Sequence, residues 1–259
     1  MPELDGIRVL VTRPKVQAQH LCDLIKARGG EAIPFPALDI VSLDGAVSAE
    51  ASGAPDIVIF TSPNAVRHGA RVLNRAGKQN PELTVGAIGP STAQALKDIG
   101  QRVGLAPAQG FTSEALLLEP TLQRLEDKTI LIVRGEGGRE HLARVLRKRG
   151  ARVCFAEVYR RVKPSPGPSD VAALEARWAK SGIDIVAANS VETLENLYHM
   201  LSAAGRRSLH STPLVTASSR VARQATALGL EGEVVMAEGP DDLRVVDAIC
   251  SWSEGREEA

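Results

Sequence analysis

Little in this chain is polarised toward one partner. Its 31 basic and 31 acidic residues cancel, so no global field draws it to nucleic acid or to an anionic membrane. Aromatic residues make up only 3%, which leaves few stacking platforms and argues against single-stranded nucleic acid. Three cysteines, Cys22, Cys154 and Cys250, occur without any CxxC spacing, so small core residues are expected rather than a disulfide framework or thiolate metal site. No stretch approaches the roughly 20 apolar residues of a membrane span. The opening MPELDGIRVLVTRP is too charged and its apolar run too short for the centre of a signal peptide. A cytoplasmic location is expected.

The motifs of common chemistries are missing as well. Gly135-Glu-Gly-Gly138 is glycine-rich, but GxGxxG spacing fails and no Walker-type GKS or GKT occurs. Nor is there a GxSxG nucleophile elbow. His20, His68, His141, His199 and His210 are scattered, without HxxxH or HExxH. His20 and His141 fall among polar helix positions and are expected to be solvated. Chemistry here is expected to need no metal, no nucleotide cofactor and no covalent nucleophile.

What the chain does have is a duplication. Leu10, Arg13, His20, Leu21, Arg28 and Gly29 recur as Leu131, Arg134, His141, Leu142, Arg149 and Gly150, each pair 121 positions apart. Asp56, Ile57, Val58 and Ser62 match Asp184, Ile185, Val186 and Ser190 at a shift of 128, and Ala93, Gly100 and Gly110 match Ala222, Gly229 and Gly239 at 129. A period this long means duplication of a whole domain rather than a short solenoid repeat. Twin domains suggest a cleft between them, and clefts bind ligands.

Each copy alternates strands and helices. Ile7–Val11 is an apolar run of the kind buried on both faces of a parallel sheet. From Gln17 to Arg28 the residues Ala18, Leu21, Cys22 and Ile25 lie on one helical face, and Gly29-Gly30 stops the helix. Strands follow at 31–35, 57–60, 84–88 and 102–105, with helices at 64–76 and 92–99 and another from Ser113. Copy two has strands near 130–133, 152–155, 184–188, 213–217 and 233–237. Lys163–Ser169, rich in proline, reads as a linker. Ala46–Ser52 has helical character, and the tail from Ser253 is expected to fray.

In such doubly wound α/β units, ligands bind outside the carboxyl ends of the strands. The loops there carry Thr12-Arg13, Thr61-Ser62, Ser91, Ser113, Arg134, Asn189-Ser190 and Ser218-Ser219. Helix capping explains such residues one loop at a time. Several helix N-termini facing one cleft would also make an anion site without net positive charge, and the matched Arg13 and Arg134 would strengthen it from opposite sides.

Val11-Thr-Arg-Pro14, Phe60-Thr-Ser-Pro-Asn-Ala-Val66, Ala87-Ile-Gly-Pro-Ser-Thr-Ala93, Ile130-Leu-Ile-Val-Arg-Gly135, Gly138-Arg-Glu-His-Leu142 and Glu157-Val-Tyr-Arg160, taken in order, resemble uroporphyrinogen-III synthase from about residue 7 to 249. The resemblance implies two flavodoxin-like domains, residues 1–36 with 166–259 and residues 41–161. Connections at 37–40 and 158–165 would act as a two-stranded hinge around a large substrate. It implies cyclisation of the linear tetrapyrrole hydroxymethylbilane, with loss of water and inversion of the last ring, by a lyase that works as a monomer without cofactor. It leaves room for transient contact with hydroxymethylbilane synthase. On the family's pattern Tyr159 would assist hydroxyl departure. Thr12, Arg13, Thr61, Ser62, Ser91, Ser113, Arg134, Asn189, Ser190 and Ser219 would bind substrate. Asn189-Ser190 and Ser218-Ser-Arg220 depart from that pattern. A reading from another class is a non-catalytic binding or sensor protein for a polyanionic small molecule, which the fold alone does not exclude.

Overall fold

The computed structural model describes residues 3–44, 54–110, 112–138 and 140–257. Its elements, in chain order, are β1 (Arg8–Val11), α1 (Lys15–Ala27), β2 (Glu31–Pro34), β3 (Asp39–Ser42), β4 (Ile57–Phe60), α2 (Pro63–Gln79), β5 (Thr84–Ala87), α3 (Pro90–Asp98), α4 (Ser113–Leu116), β6 (Thr129–Gly135), α5 (His141–Lys148), β7 (Arg152–Val162), α6 (Pro168–Ala179), β8 (Ile185–Ala187), α7 (Val191–Met200), α8 (Ala203–Ser211), β9 (Leu214–Thr216), α9 (Ser219–Ala227), β10 (Val234–Met236) and α10 (Asp242–Glu257).

The chain divides into two compact units, one of Met1–Asp39 with Val162–Ala259 and the other of Ile40–Arg161. In the first, the sheet order is β2-β1-β8-β9-β10, with every pair parallel. In the second it is β3-β7-β6-β4-β5, and the pairs β7-β6, β6-β4 and β4-β5 are parallel. The repeats therefore exchange halves. β1 and β2, from copy one, are completed by β8, β9 and β10 of copy two. β6 and β7, from copy two, are completed by β4 and β5 of copy one, and Leu105 adds an isolated parallel bridge to Gly86.

The strands are apolar without alternation because both sheet faces are covered. Val9 and Val11 enter one core cluster with Ile185, Ala187 and residues of α1 and α10. Leu10, between them in sequence, enters another with Val186, Leu214 and residues of α6 to α9. The second unit repeats the division, with Val58, Phe60, Leu131 and Val133 on one side and Ile57, Ile59, Ile130 and Ile132 on the other. The two-residue strand period sorts one apolar run into two cores.

Matched aspartates tie the exchanged halves at the amino ends of the strands. Asp184, just before β8, accepts from the backbone N–H of Arg8 (2.9 Å) and from its guanidinium Nε (2.8 Å) and Nη2 (3.1 Å). Asp56, just before β4, accepts from the backbone N–H of Thr129 (2.8 Å) and from Lys128 (3.1 Å). In both cases a carboxylate of one repeat caps an interior strand of the other.

Several expectations change. α6 begins at Pro168, inside the expected linker, because proline suits the first helical position, where no N–H is needed. The tail does not fray at Ser253, since α10 runs to Glu257 with Trp252 and Ser253 buried. β7 runs on for 11 residues. Residues 102–105 supply one bridge rather than a strand, and α4 is a single turn. Ala46–Ser52 lies outside the described residues.

Replacing Asp56 or Asp184 by alanine should each cost about 1–3 kcal/mol, since a partly buried strand N–H loses its acceptor; chemical unfolding of both variants measures it. The Thr129 N–H holds the Asp56 carboxyl below the ordinary aspartate range. Its contribution is thus complete above that range and is lost as pH falls through the lowered value. Asp56→Ala should accordingly lose less stability on acidification than the parent chain.

Candidate active site

The functional side chains expected from the sequence gather at the carboxyl ends of the strands, on the rim of each unit. On the rim of the first unit, Thr12 follows β1. It is fully buried, and its hydroxyl donates to the Ala187 carbonyl (2.6 Å). Arg13 is also buried, with its guanidinium on the Asp242 carboxylate in the first turn of α10 and 3.5 Å from the Pro240 carbonyl. His20, on α1, holds the other Asp242 oxygen (Nδ1 to Oδ2, 2.7 Å). His20 and His141 are solvated as expected, and each also has an acidic neighbour: His20 is bridged to the last helix, and His141 stands 3.9 Å from Glu114.

Asn189 is exposed, and Ser190 caps α7 by accepting from the Thr193 N–H (3.1 Å). Ser218 stands at the N-cap of α9, which leaves the Ser219 hydroxyl exposed in the first turn. Arg13, Ala188, Asn189, Ala217 and Pro240 line a small depression on this rim.

The rim of the second unit is more closely knit. Arg134, at the end of β6, is buried and bonds the Gly138 carbonyl (3.0 Å), Glu140 (2.8 Å) and Glu157 (3.1 Å). Its guanidinium carbon lies 3.7 Å from the centre of the Phe155 ring. Its Nε is buried without a hydrogen-bond partner. Arg13 and Arg134 therefore share more than a strand position: each is charge-paired with acids. Thr61 donates to the Val133 carbonyl (3.3 Å), Ser91 is exposed in the first turn of α3, and Ser113 is half-buried in α4.

Tyr159 lies within β7, only 4% exposed. Its hydroxyl is 3.1 Å from the Ser62 oxygen, which also caps α2 by accepting from the Ala65 N–H (3.1 Å). A side chain at Gly135 would collide with the tyrosine, its Cβ falling 2.7 Å from ring carbons Cε2 and Cζ, so the missing side chain gives the phenol its seat. The His68 ring lies 5.9 Å away, tilted by 37°, and its Nδ1 is 2.8 Å from the Ser42 hydroxyl. His68, Ser42 and the acids on both arginines were not among the expected site residues. The spacing of Ser62 and His68 on one helix and an aspartate in the first turn of α10 were the only local signals. Among the described residues no group of three or more His, Cys, Asp and Glu side chains could hold a metal ion.

The family model described as uroporphyrinogen-III synthase HemD matches residues 19–244. The chain is 31% identical to uroporphyrinogen-III synthase of Escherichia coli over 248 residues, covering 93% of this chain and 99% of that protein. It is 32% identical to the Salmonella typhimurium enzyme over 247 residues, with the same coverage. Among solved structures, uroporphyrinogen-III synthetase of Helicobacter pylori aligns with a TM-score of 0.63 at 15% identity, covering 95% of this chain and 99% of that one. A mutant of the Thermus thermophilus enzyme aligns at 0.58 and 19%, covering 98% and 100%. At these identities the structures speak for the two-domain α/β fold.

Asp242→Asn should strip the charge partner from a buried arginine and destabilise the first unit by about 3 kcal/mol. A fall in the urea-unfolding midpoint, with the second unit's transition unmoved, is the expected record.

Proposed function

The chain belongs to the uroporphyrinogen-III synthase family, and on that premise we propose that it cyclises hydroxymethylbilane to uroporphyrinogen III in porphyrin biosynthesis. Membership disfavours a non-catalytic sensor. The observation that supports the reading within the site is the contact of buried Tyr159 with half-buried Ser62 on the rim of the second unit.

In the proposed reaction the C–O bond of the hydroxymethyl group breaks and its electron pair leaves with the oxygen. The Tyr159 hydroxyl donates to that oxygen, and water departs. The pyrrole nitrogen feeds the developing azafulvene cation. A substituted carbon of the terminal ring attacks to give a spiro intermediate. The spiro carbon keeps its new bond and loses its original bond to the bridging methylene, which leaves a second azafulvene cation on the neighbouring ring. The other α-carbon of the inverted terminal ring attacks that cation and releases a proton equal to the one consumed. No cofactor or metal is required, and the reaction is a lyase reaction.

The substrate carries acetate and propionate groups on every ring. Ser91, Ser113, Asn189, Ser190 and Ser219, together with the first-turn N–H groups of their helices, are suited to those carboxylates. Thr61 and Ser62 flank the reacting end. Thr12 has its hydroxyl committed to Ala187, and Arg13 and Arg134 have charge partners, so their contribution is to hold the rims in shape and to set the local potential. The linear substrate closes readily without inversion. Holding it in the inverting geometry is therefore the main task, and positioning of this kind is worth up to roughly 7–11 kcal/mol. The crossings at 37–40 and 158–165 serve as the hinge, and the same reading has the protein acting as a cytoplasmic monomer, with transient contact with hydroxymethylbilane synthase.

The test supplies enzymatically generated hydroxymethylbilane and resolves the type I and type III products. Type III should predominate, and formation of type I alone would refute the proposal. Tyr159→Phe should lower kcat by about 10²-fold at most, as for loss of a general acid. Unchanged turnover would remove that role from Tyr159 and leave the overall assignment standing.

A further inference from the structure

The Tyr159 phenol does not stand alone, because three elements hold it. Ser62 comes from the N-cap of α2 and His68 from that helix, Ser42 from β3, and Tyr159 itself from β7. The serine oxygen already accepts from the Ala65 N–H. If its single proton is donated to the phenol oxygen, the phenol's own proton is left for a ligand. That assignment needs the ring to stay where Ser62 can reach it.

Gly135 bounds the ring closely, and the His68 ring lies against it. The Ser42 hydroxyl in turn fixes His68 at Nδ1 (2.8 Å). We propose that His68, anchored by Ser42, is a positioning residue that holds the Tyr159 hydroxyl in register with Ser62 during departure of the substrate hydroxyl. The proposal rests on the reading of Tyr159 given above. Burial, reinforced by Arg67, holds His68 below its ordinary range. The imidazole is therefore uncharged at neutral pH and places no cation beside the one that forms on the substrate.

A cycle of four proteins tests it: the parent, His68→Ala, Tyr159→Phe and the double variant, each assayed for kcat, KM and the type III share of product. His68→Ala should lower kcat about tenfold and leave KM within about twofold, since a group acting only as the reaction proceeds affects turnover rather than binding. In the Tyr159→Phe background the same change should lower kcat no further, because no hydroxyl remains to be positioned. Ser42→Ala, at an exposed position, should produce a smaller fall of the same kind, again absent without the tyrosine hydroxyl. It keeps the test open should His68→Ala unfold. A full-rate Tyr159→Phe enzyme sinks the reading of Tyr159 and this proposal with it. A slow Tyr159→Phe enzyme in which His68→Ala still costs its whole factor sinks the role of His68 alone, and so does a His68→Ala enzyme with parental kcat.

Discussion

Everything in this fold follows from the two strands that cannot be completed by their own repeat. β1 and β6 each occupy an interior position of their sheet, apolar on both faces and hydrogen-bonded on both edges. On one edge the partner is the next strand of the same repeat. On the other it is β8 or β4, from the opposite copy. An interior strand in a dry sheet without its second partner would leave a row of backbone groups unsatisfied, at a cost far beyond what a small domain can absorb. The carboxylates of Asp56 and Asp184 add a fixed register to that requirement. With the strands set, both rims follow, because each strand end carries its loop and helix N-terminus to the same side of the sheet.

The rims use similar parts for different ends. In each, a buried arginine closes an interior strand and is neutralised by acids. On the first rim those contacts lead to a helix N-terminus and a histidine. On the second, the loop at Gly135 opens a space that the Tyr159 ring fills. The duplicated scaffold thus carries two unlike rims.

Much of this was legible in the sequence, for identifiable reasons. Strands buried on both faces announce themselves as unbroken apolar runs such as Ile57–Phe60, and Gly29 and Gly150, both at positive φ, mark the helix ends. The apolar pattern alone carries β7 only as far as Phe155, because Glu157, Arg160 and Arg161 interrupt it at the more exposed end; the extension beyond came from the family resemblance. The start of α6 was hidden by prolines that read equally as linker and as first helical turn. Within the site, Tyr159 and Ser62 were found from motifs, but the contact between them joins positions 97 apart. The partner of Arg13 lies 229 residues downstream. Local patterns name residue types at strand ends; they do not say which distant acid will neutralise which arginine.

The exchange of halves also sets an order of assembly during synthesis. The second unit is one continuous stretch and is complete once residue 161 has emerged. The first unit is not, because β1, α1 and β2 are made before the second unit and wait for strands that are made after it. Throughout that interval β1, with Val9, Leu10 and Val11, lacks the neighbour at β8 that buries it. Contacts spanning about 175 residues form slowly, since a long loop must close before they are rewarded. The segment carrying β1 and β2 therefore stays without its sheet neighbours until β8, β9 and β10 have been made.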